Sequence, residues 1–436
     1  MSETARRWGI VGGGILGMRL AGKLAEGGDH VVLIESAPAL GGLAGAWTIG
    51  GVTWDRHYHV ILRSDQHVLD LLQELGLRHE IRWARARTGF CAGGRLHSLS
   101  SSLDFLRFPL LGPLEKLRLA ATILRASRIR DGRTLERVPA SSWLIRWSGK
   151  ATFQRIWLPL LRAKLGDGYR AASAAFVWAA IARMYAARRT GMKREEFGFV
   201  AGGYSRVLGM FEKRIREVGV KIHLGRTVRL VRRAGARWAV ECTDGGSEEF
   251  DRVVVTIPAP EAARLCPDLT QDERRIRKET RYQGILCASL LSGTPLSEFY
   301  ITYITDSGLP FGAVIEMSAL TGREFFEGQS LVYLPRYVAS DDPAFGMSDA
   351  EIAAQFLPAL ERIYPRFRRS DVSAFRVSRV RHVFAIPVLE YSRLLPPIRT
   401  SMPGLFIVNS AHIVNGTLNV NETLALAERV LPELKA

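Results

Sequence analysis

Residues 8–35 constrain this chain more than any other stretch. Gly9-Ile10-Val11 is a short apolar strand running into Gly12-Gly13-Gly14-Ile15-Leu16-Gly17, which fits G-x-G-x-x-G. Gly12 permits the tight turn, Gly14 lets a phosphate-bearing ligand approach bare backbone, and Gly17 lets the following helix pack closely on the strand. The spacing predicts a helix over 15–26 with Leu16, Leu20, Ala21, Leu24 and Ala25 turned inward, stopped by Gly27-Gly28. His30 to Ile34 reads as a second buried strand, and Glu35 ends it eighteen residues past the last glycine. A carboxylate there accepts hydrogen bonds from ribose hydroxyls, and the helix start offers free N–H groups and its positive dipole end to a pyrophosphate. Strand, turn, helix, strand and acid within about thirty residues make a dinucleotide-binding βαβ unit. An acid instead of a base at position 35 disfavours a 2′-phosphate, hence NADP.

The fingerprint does not separate FAD from NAD, but the next residues do. Glu35-Ser36 is followed after a short loop by Gly41-Gly42-Leu43-Ala44. Here the sequence resembles the amine oxidase, protoporphyrinogen oxidase and phytoene desaturase superfamily of FAD enzymes. The resemblance implies that Gly12, Gly14, Ile15, Leu16, Gly17, Glu35, Ser36, Gly41, Gly42, Leu43 and Ala44 contact FAD. It extends to Thr227-Val228, where Val228 would meet adenine through its backbone. It also covers the apolar run 251–258, and Asn409 and Asn421 near the C-terminus, where strand and helix would cover the ribityl chain and flavin. The helix starting near Glu422 would point its positive end at the flavin and stabilise negative charge on its reduced form. Departures are visible: Leu43 stands where many relatives carry Arg, and Asn409-Ser410 where Gly-Asp or Gly-Glu is usual. These mark a side branch, so no one subfamily's substrate carries over. The segment from Gly404 onward holds no cysteine, so no covalent flavin link through Cys is expected.

A chain of 436 residues exceeds one ordinary core. The resemblance implies an α/β fold: a discontinuous Rossmann-like FAD-binding domain, residues 1–65, 199–268 and 388–436, and a second α+β substrate domain, residues 66–198 and 269–387. In the latter, short alternating runs at 285–291, 299–305, 311–316 and 330–334 predict an antiparallel sheet. The helical part spans 100–198. There Pro113 suits a helix start, and Leu114, Leu117, Ala121 and Leu124 recur at helical spacing, with Lys116, Arg118, Arg125 and Arg128 expected on the opposite face. Such a stripe is expected to be core with a basic outside. The alternative is an amphipathic surface for a membrane interface, because Trp143, Trp147 and Trp157 lie among Arg146, Lys150 and Arg155.

Charge is uneven. The formal net charge is +17, and residues 103–199 hold nineteen Lys/Arg against seven Asp/Glu. A basic face attracts an anionic membrane surface, nucleic acid or an anionic substrate, although charge runs usually mean solvated helices. No recognition motif accompanies the charge, so specific nucleic-acid binding is not expected. The four cysteines have no ligand-like spacing, which argues against a metal site and a disulfide framework. With no signal peptide and no apolar run long enough to span a bilayer, the expectation is a cytoplasmic protein, with peripheral attachment to the inner membrane face through the helical part the further expectation.

Flavin carries the hard chemistry of such enzymes, so few catalytic side chains are needed. The densest polar cluster is Asp55-Arg56-His57-Tyr58-His59. His57 and His59 are candidates to move a proton near neutral pH; anchoring the loop by hydrogen bonds is the plainer alternative. Tyr391, Tyr333 and Arg336 are weaker candidates. The resemblance implies an FAD-dependent dehydrogenase, desaturase or oxidase that moves a hydride from an apolar substrate, isoprenoid or lipid-linked in character, to flavin N5. Alternatives are a flavin-dependent isomerase or mutase without net redox, an amine oxidase, or a non-enzymatic prenyl-binding chaperone of the GDP-dissociation-inhibitor type.

Overall fold

The computed structural model describes residues 5–188, 196–414 and 416–436. The lead residues 1–4, and Arg189, Lys193 and Arg194 of the basic stretch, lie outside the described residues. The apolar strand β1 (Arg7–Val11), the helix α1 (Ile15–Glu26) and the strand β2 (His30–Ile34) form as their sequence requires. They sit in a five-stranded sheet ordered Leu405–Ile407, Arg252–Val255, β1, β2, Lys221–His223. Every neighbour in it is parallel.

Alternation along these strands splits the core in two. Ile10, Leu33, Val254 and Phe406 face α1, the helix Gly203–Glu217 and the C-terminal helix Val420–Lys435. Val11, Val32, Ile34, Val253, Val255 and Ile407 face a three-stranded antiparallel sheet through Trp238, Val240 and Phe250.

A second, seven-stranded sheet runs in the order Val372–Ala385, Tyr282–Ser292, Ser330–Ala339, Ala313–Glu316, Ile301–Ile304, Thr88–Ala92, Arg95–Ser98. Its pairings are antiparallel except that Ile301–Ile304 runs parallel to Thr88–Ala92. That strand comes from far earlier in the chain, so no hairpin sets its direction. One face, with Leu286, Leu290, Val332 and Leu334, packs on the helix Asp349–Ile363 through Phe356 and Leu360. The other, with Ile285, Cys287, Tyr333 and Tyr337, turns toward Trp54, Tyr58 and Val60.

The helical part departs from expectation. The helix Pro113–Arg128 begins at Pro113 as its sequence suggests, but its buried residues are Leu119, Thr122 and Ala126. Leu114 and Leu117 are each 68% exposed and Leu124 41%. Small Thr122 and Ala126 let the helix approach its neighbours closely, and Trp178 Nε1 donates to the carbonyls of Ala126 and Ile129 at 3.0 and 3.2 Å. The leucines therefore point outward. Among the described residues no helix is long and apolar enough to cross a membrane, and no metal-binding cluster occurs. All four cysteines are buried and free.

Arg19 of α1 is almost wholly buried and ties three helices. Its guanidinium donates to Glu74 of the helix Gln66–Glu74 and, at 3.0 Å, to Glu428 of the C-terminal helix. Both carboxylates are about one-third exposed, so solvent screens part of the gain. Arg19→Met should lower stability by about 2 kcal/mol, the worth of charged hydrogen bonds lost at a partly wet site, as read by chemical denaturation.

Candidate cofactor and substrate site

The end of β1 is held in a tight turn. Gly12 has φ +108° and its N–H donates to Ile34 at 2.9 Å. The Thr256 hydroxyl, arriving from the adjacent strand, donates to the carbonyls of Val11 and Gly12 at 3.0 and 3.1 Å. A Cβ on Gly17 would lie 2.0 Å from the Gly12 carbonyl oxygen, so packing alone forbids a side chain there. Gly14 is different. Its φ is −69°, and a Cβ would meet nothing nearer than Gly42 Cα at 3.9 Å. The protein's own packing does not require a glycine at 14. A ligand pressed against the backbone would, and the helix behind it has no side-chain cap and no acid in its first turn.

The Gly41-Gly42 pair lies directly on this turn. Gly41 N–H donates to the Gly13 carbonyl at 2.8 Å, and a Cβ on Gly42 would sit 3.1 Å from Gly14 Cα. Ile15, Leu16 and Ala44 are buried around the pair, while Leu43 is half-buried. Glu35 stands at the rim. Its Oε2 accepts from Gly13 N–H at 2.6 Å and its Oε1 from Ala37 N–H at 2.7 Å and the Ser36 hydroxyl at 3.2 Å. A carboxylate offers about four acceptor positions, so it keeps capacity for a ribose. The segment leading to Val228 runs beside it, Arg226 N–H donating to the Glu35 carbonyl at 2.9 Å. Val228 is buried at the start of the strand Val228–Ala234, just before a bulge.

Arg56 brings a cation to the Gly41-Gly42 pair, beside Leu43. Its Nη2 donates to the Gly42 carbonyl at 2.7 Å, while its Nε is buried with no partner among the described residues. Burial and the nearby Arg376 lower its pKa, and Glu35 offsets them in part. An uncapped helix start, a glycine crossing that any side chain would fill, a rim carboxylate and a buried orphan guanidinium N–H together fit an FAD diphosphate and ribose.

The three candidate catalytic residues do not converge. His57 and His59 are neighbours, their rings 6.5 Å apart and nearly perpendicular. His57 Nδ1 donates to the Leu43 carbonyl at 3.0 Å, and its Nε2 faces the Ser378 hydroxyl at 3.1 Å. Burial pushes its pKa down to about 3 against the raising effect of the Leu43 bond. His57 is thus a neutral pin joining the Gly42-Leu43 segment to the large sheet. His59 Nδ1 is buried without a hydrogen-bond partner, 3.7 Å from Asp55 Oδ2. Burial raises the Asp55 carboxyl, which His59 and the Tyr204 N–H (2.6 Å) counteract. The two line a cavity of about 10 Å³ with Trp54, Phe199 and Tyr204, room for roughly one water. Tyr391 is elsewhere, its hydroxyl donating to Ala411 at 2.7 Å, and burial pushes it far above the usual phenol range.

Asn409 and Asn421 serve the protein first. Asn409 Oδ1 accepts from Tyr282 and Ala411 N–H, both at 3.1 Å, and its Nδ2 donates to Ile257 at 3.0 Å. Asn421 Oδ1 accepts from His67 N–H at 2.9 Å and so caps the helix Gln66–Glu74. Of the weaker candidates, the Tyr333 hydroxyl donates to the Asp55 carbonyl at 2.6 Å. Arg336, of opposite parity on its strand, lies on the sheet's other face.

Sequence reasoning missed a chain of polar groups beside this loop. The hydroxyls of Tyr58 and Tyr337 are 2.9 Å apart, and Lys164 Nζ donates to Tyr337 at 2.5 Å. Lys164 also stands 3.9 and 5.1 Å from the ring centroids of Tyr337 and Phe384. Among the described residues it has no carboxylate partner. Burial and Tyr337 push the Tyr58 hydroxyl well above its ordinary value. Only a lysine amid apolar helix residues, at Leu161-Arg-Ala-Lys164-Leu165, marks the site in sequence.

Two outcomes test the geometry. Gly14→Ala should leave the melting temperature of the cofactor-free protein nearly unchanged but weaken uptake of added FAD, whereas Gly17→Ala should damage both. For His57 the folded pKa lies below the unfolded one. Its contribution to stability is therefore full above pH 6.5 and is lost as pH falls toward 3, at up to about 1.4 kcal/mol per pH unit. His57→Gln should flatten that slope in denaturation curves taken from pH 7 to 4.

Comparisons with known proteins agree with this geometry. Residues 17–420 match the family described as flavin containing amine oxidoreductase. A coproporphyrinogen III oxidase from Mycobacterium bovis is 24% identical over 398 residues, covering 84% of this chain and 86% of that protein. A cofactor-site variant of putrescine oxidase superposes with TM-score 0.75 at 17% identity, covering 99% of each chain. Reduced UDP-galactopyranose mutase superposes with TM-score 0.72 at 16% identity, covering 98% of this chain and 96% of that one. The glycine crossing, the rim acid and a family match over most of the chain together make this protein a member of the flavin-containing amine oxidoreductase family, an oxidoreductase whose cofactor is FAD.

Proposed function

We propose that this enzyme dehydrogenates an apolar substrate, isoprenoid or lipid-linked in character, that also carries an anionic group. The observation that carries the reading is the wall beside the Asp55–His59 loop. Ile285, Cys287, Tyr333 and Tyr337 line that sheet face, with Tyr58 opposite, and Lys164 beside them has no carboxylate partner among the described residues. Bound FAD supplies the acceptor for a hydride leaving a substrate C–H. The chain's residues do the positioning. Gly12, Gly14, Gly17, Gly41, Gly42, Glu35 and Arg56 would hold the cofactor. The apolar wall excludes water, and Lys164 would fix the substrate's anionic end. The Lys164–Tyr337–Tyr58 hydrogen bonds keep both phenols oriented. Locked His57 takes no proton near neutral pH, so no histidine base is assigned there.

The layout remains part of the proposal: a cofactor domain from 1–65, 199–268 and 388–436, and a substrate domain from 66–198 and 269–387. It is supported by the strands of the parallel sheet falling in the first set and those of the seven-stranded sheet in the second. The helix Gln66–Glu74 packs with the first set, which moves that boundary past it.

The mutase reading is favoured by the same lysine, since a phosphorylated sugar would also meet it. An amine substrate is disfavoured, because a protonated amine would meet a cation. Anaerobic mixing separates the three. Prenyl phosphates should bleach the flavin absorbance and yield a product two hydrogens lighter. Lys164→Met should raise KM for them roughly tenfold, the worth of one charge-assisted contact, with little change in kcat for a neutral prenyl alcohol. Product formed by reduced enzyme without any oxidant would replace this reading with the mutase, and peroxide release from diamines would replace it with an amine oxidase.

A further inference from the structure

Six of the eight exposed large apolar side chains among the described residues fall between residues 103 and 145: Leu103, Leu106, Leu114, Leu117, Leu124 and Ile145. Their arrangement is not scatter. On the helix Pro113–Arg128 the residues Leu114, Leu117, Ala121 and Leu124 share one face, half a turn round from buried Leu119, Thr122 and Ala126. The stripe therefore points straight away from the protein. Lys116 Nζ donates to the Leu106 carbonyl at 2.6 Å and joins the short helix Ser102–Arg107, with Leu103 and Leu106, to the same end.

Basic and aromatic groups flank the leucines. Arg125 stacks on Trp147 with its guanidinium carbon 3.8 Å from the ring centroid, and Arg146 approaches the same ring at 5.5 Å. Arg118 donates to the carbonyls of Arg146 and Trp147 at 3.3 and 3.4 Å. Among the described residues Arg107, Arg118, Arg125, Arg128 and Arg146 form no ion pair. The nearby acids are tied up locally. Asp104 accepts from the Ser98 hydroxyl at 2.7 Å and Ser100 N–H at 3.1 Å, and Glu115 caps Gly112 N–H at 2.8 Å.

We propose that this face docks on an anionic phospholipid surface, the leucines entering the acyl boundary and the arginines meeting phosphates. Outward leucines, a tryptophan and guanidinium groups without carboxylate partners are the complement of a negatively charged bilayer interface. The exposed leucines gain nothing by facing water, and an apolar patch this concentrated marks an interaction surface. The proposal does not rest on the substrate reading. It concerns a surface built by 102–147, apart from Lys164 and the glycine crossing.

The test is co-sedimentation of the FAD-loaded protein with phosphatidylglycerol/phosphatidylcholine vesicles and with pure phosphatidylcholine vesicles. The protein should bind the anionic vesicles at low salt and much less the neutral ones, and high salt should weaken binding. Leu114→Ser/Leu117→Ser/Leu124→Ser should weaken binding roughly tenfold or more, and Arg118→Gln/Arg125→Gln/Arg146→Gln should do the same. Flavin content and melting temperature report that each variant is folded. Absence of binding to anionic vesicles at low salt overturns the proposal. So does a folded leucine variant that binds like the parent. A concentration-dependent dimer abolished by the leucine substitutions also overturns it, assigning the face to a second copy of the chain.

Discussion

Two pieces of backbone meet at close quarters, and the cofactor half is organised around that meeting. Gly17 must clear the Gly12 carbonyl, and Gly42 must clear Gly14, so the β1–α1 turn and the Gly41-Gly42 turn fix one another's position. Thr256 fastens the same turn to the neighbouring strand, and Glu35 closes its rim. From there the constraint passes outward through Leu43 to His57, through His57 to Ser378, and so to the large sheet. The wall of Tyr333 and Tyr337 thus has its distance from the glycine crossing set by hydrogen bonds rather than by loose packing.

Much of this was legible because it is local. The βαβ unit needs only its own thirty residues, with alternation in the strands and 3.6-residue spacing in the helix. The Gly-Gly pair lies close behind in sequence. What stayed hidden depends on distant partners. The approach of Arg56 to the Gly42 carbonyl could not be seen, because it follows from how the Ala46–Asp55 hairpin folds back. Lys164 meets Tyr337 across 173 residues. Asn409 and Asn421 sit where the resemblance expects polar groups, yet their oxygens satisfy backbone N–H groups whose partners sequence does not reveal.

The helix Pro113–Arg128 shows a different limit. Periodicity finds an apolar face but does not say what covers it. Here the protein core takes the narrow side of Thr122 and Ala126, and the wider leucine side is left over. Similarly the strand Val372–Ala385 carries four arginines and histidines among its valines, which hides a sheet strand behind what reads as charge.

The parallel sheet has a consequence for synthesis. Leu405–Ile407 is its edge strand, pairing with Arg252–Val255, and the helix that buries Leu424, Ala427 and Val430 against α1 follows it. Until the ribosome has delivered these two segments, the open side of Arg252–Val255 and the apolar flank of α1 stay uncovered. The glycine crossing draws on residues 12–42 alone, but the half that carries it closes only when residues 405–435 have been made. The emerging polypeptide therefore exposes a sticky strand margin while residues 256–404 are made, and this interval is where chaperone capture or misassociation would act.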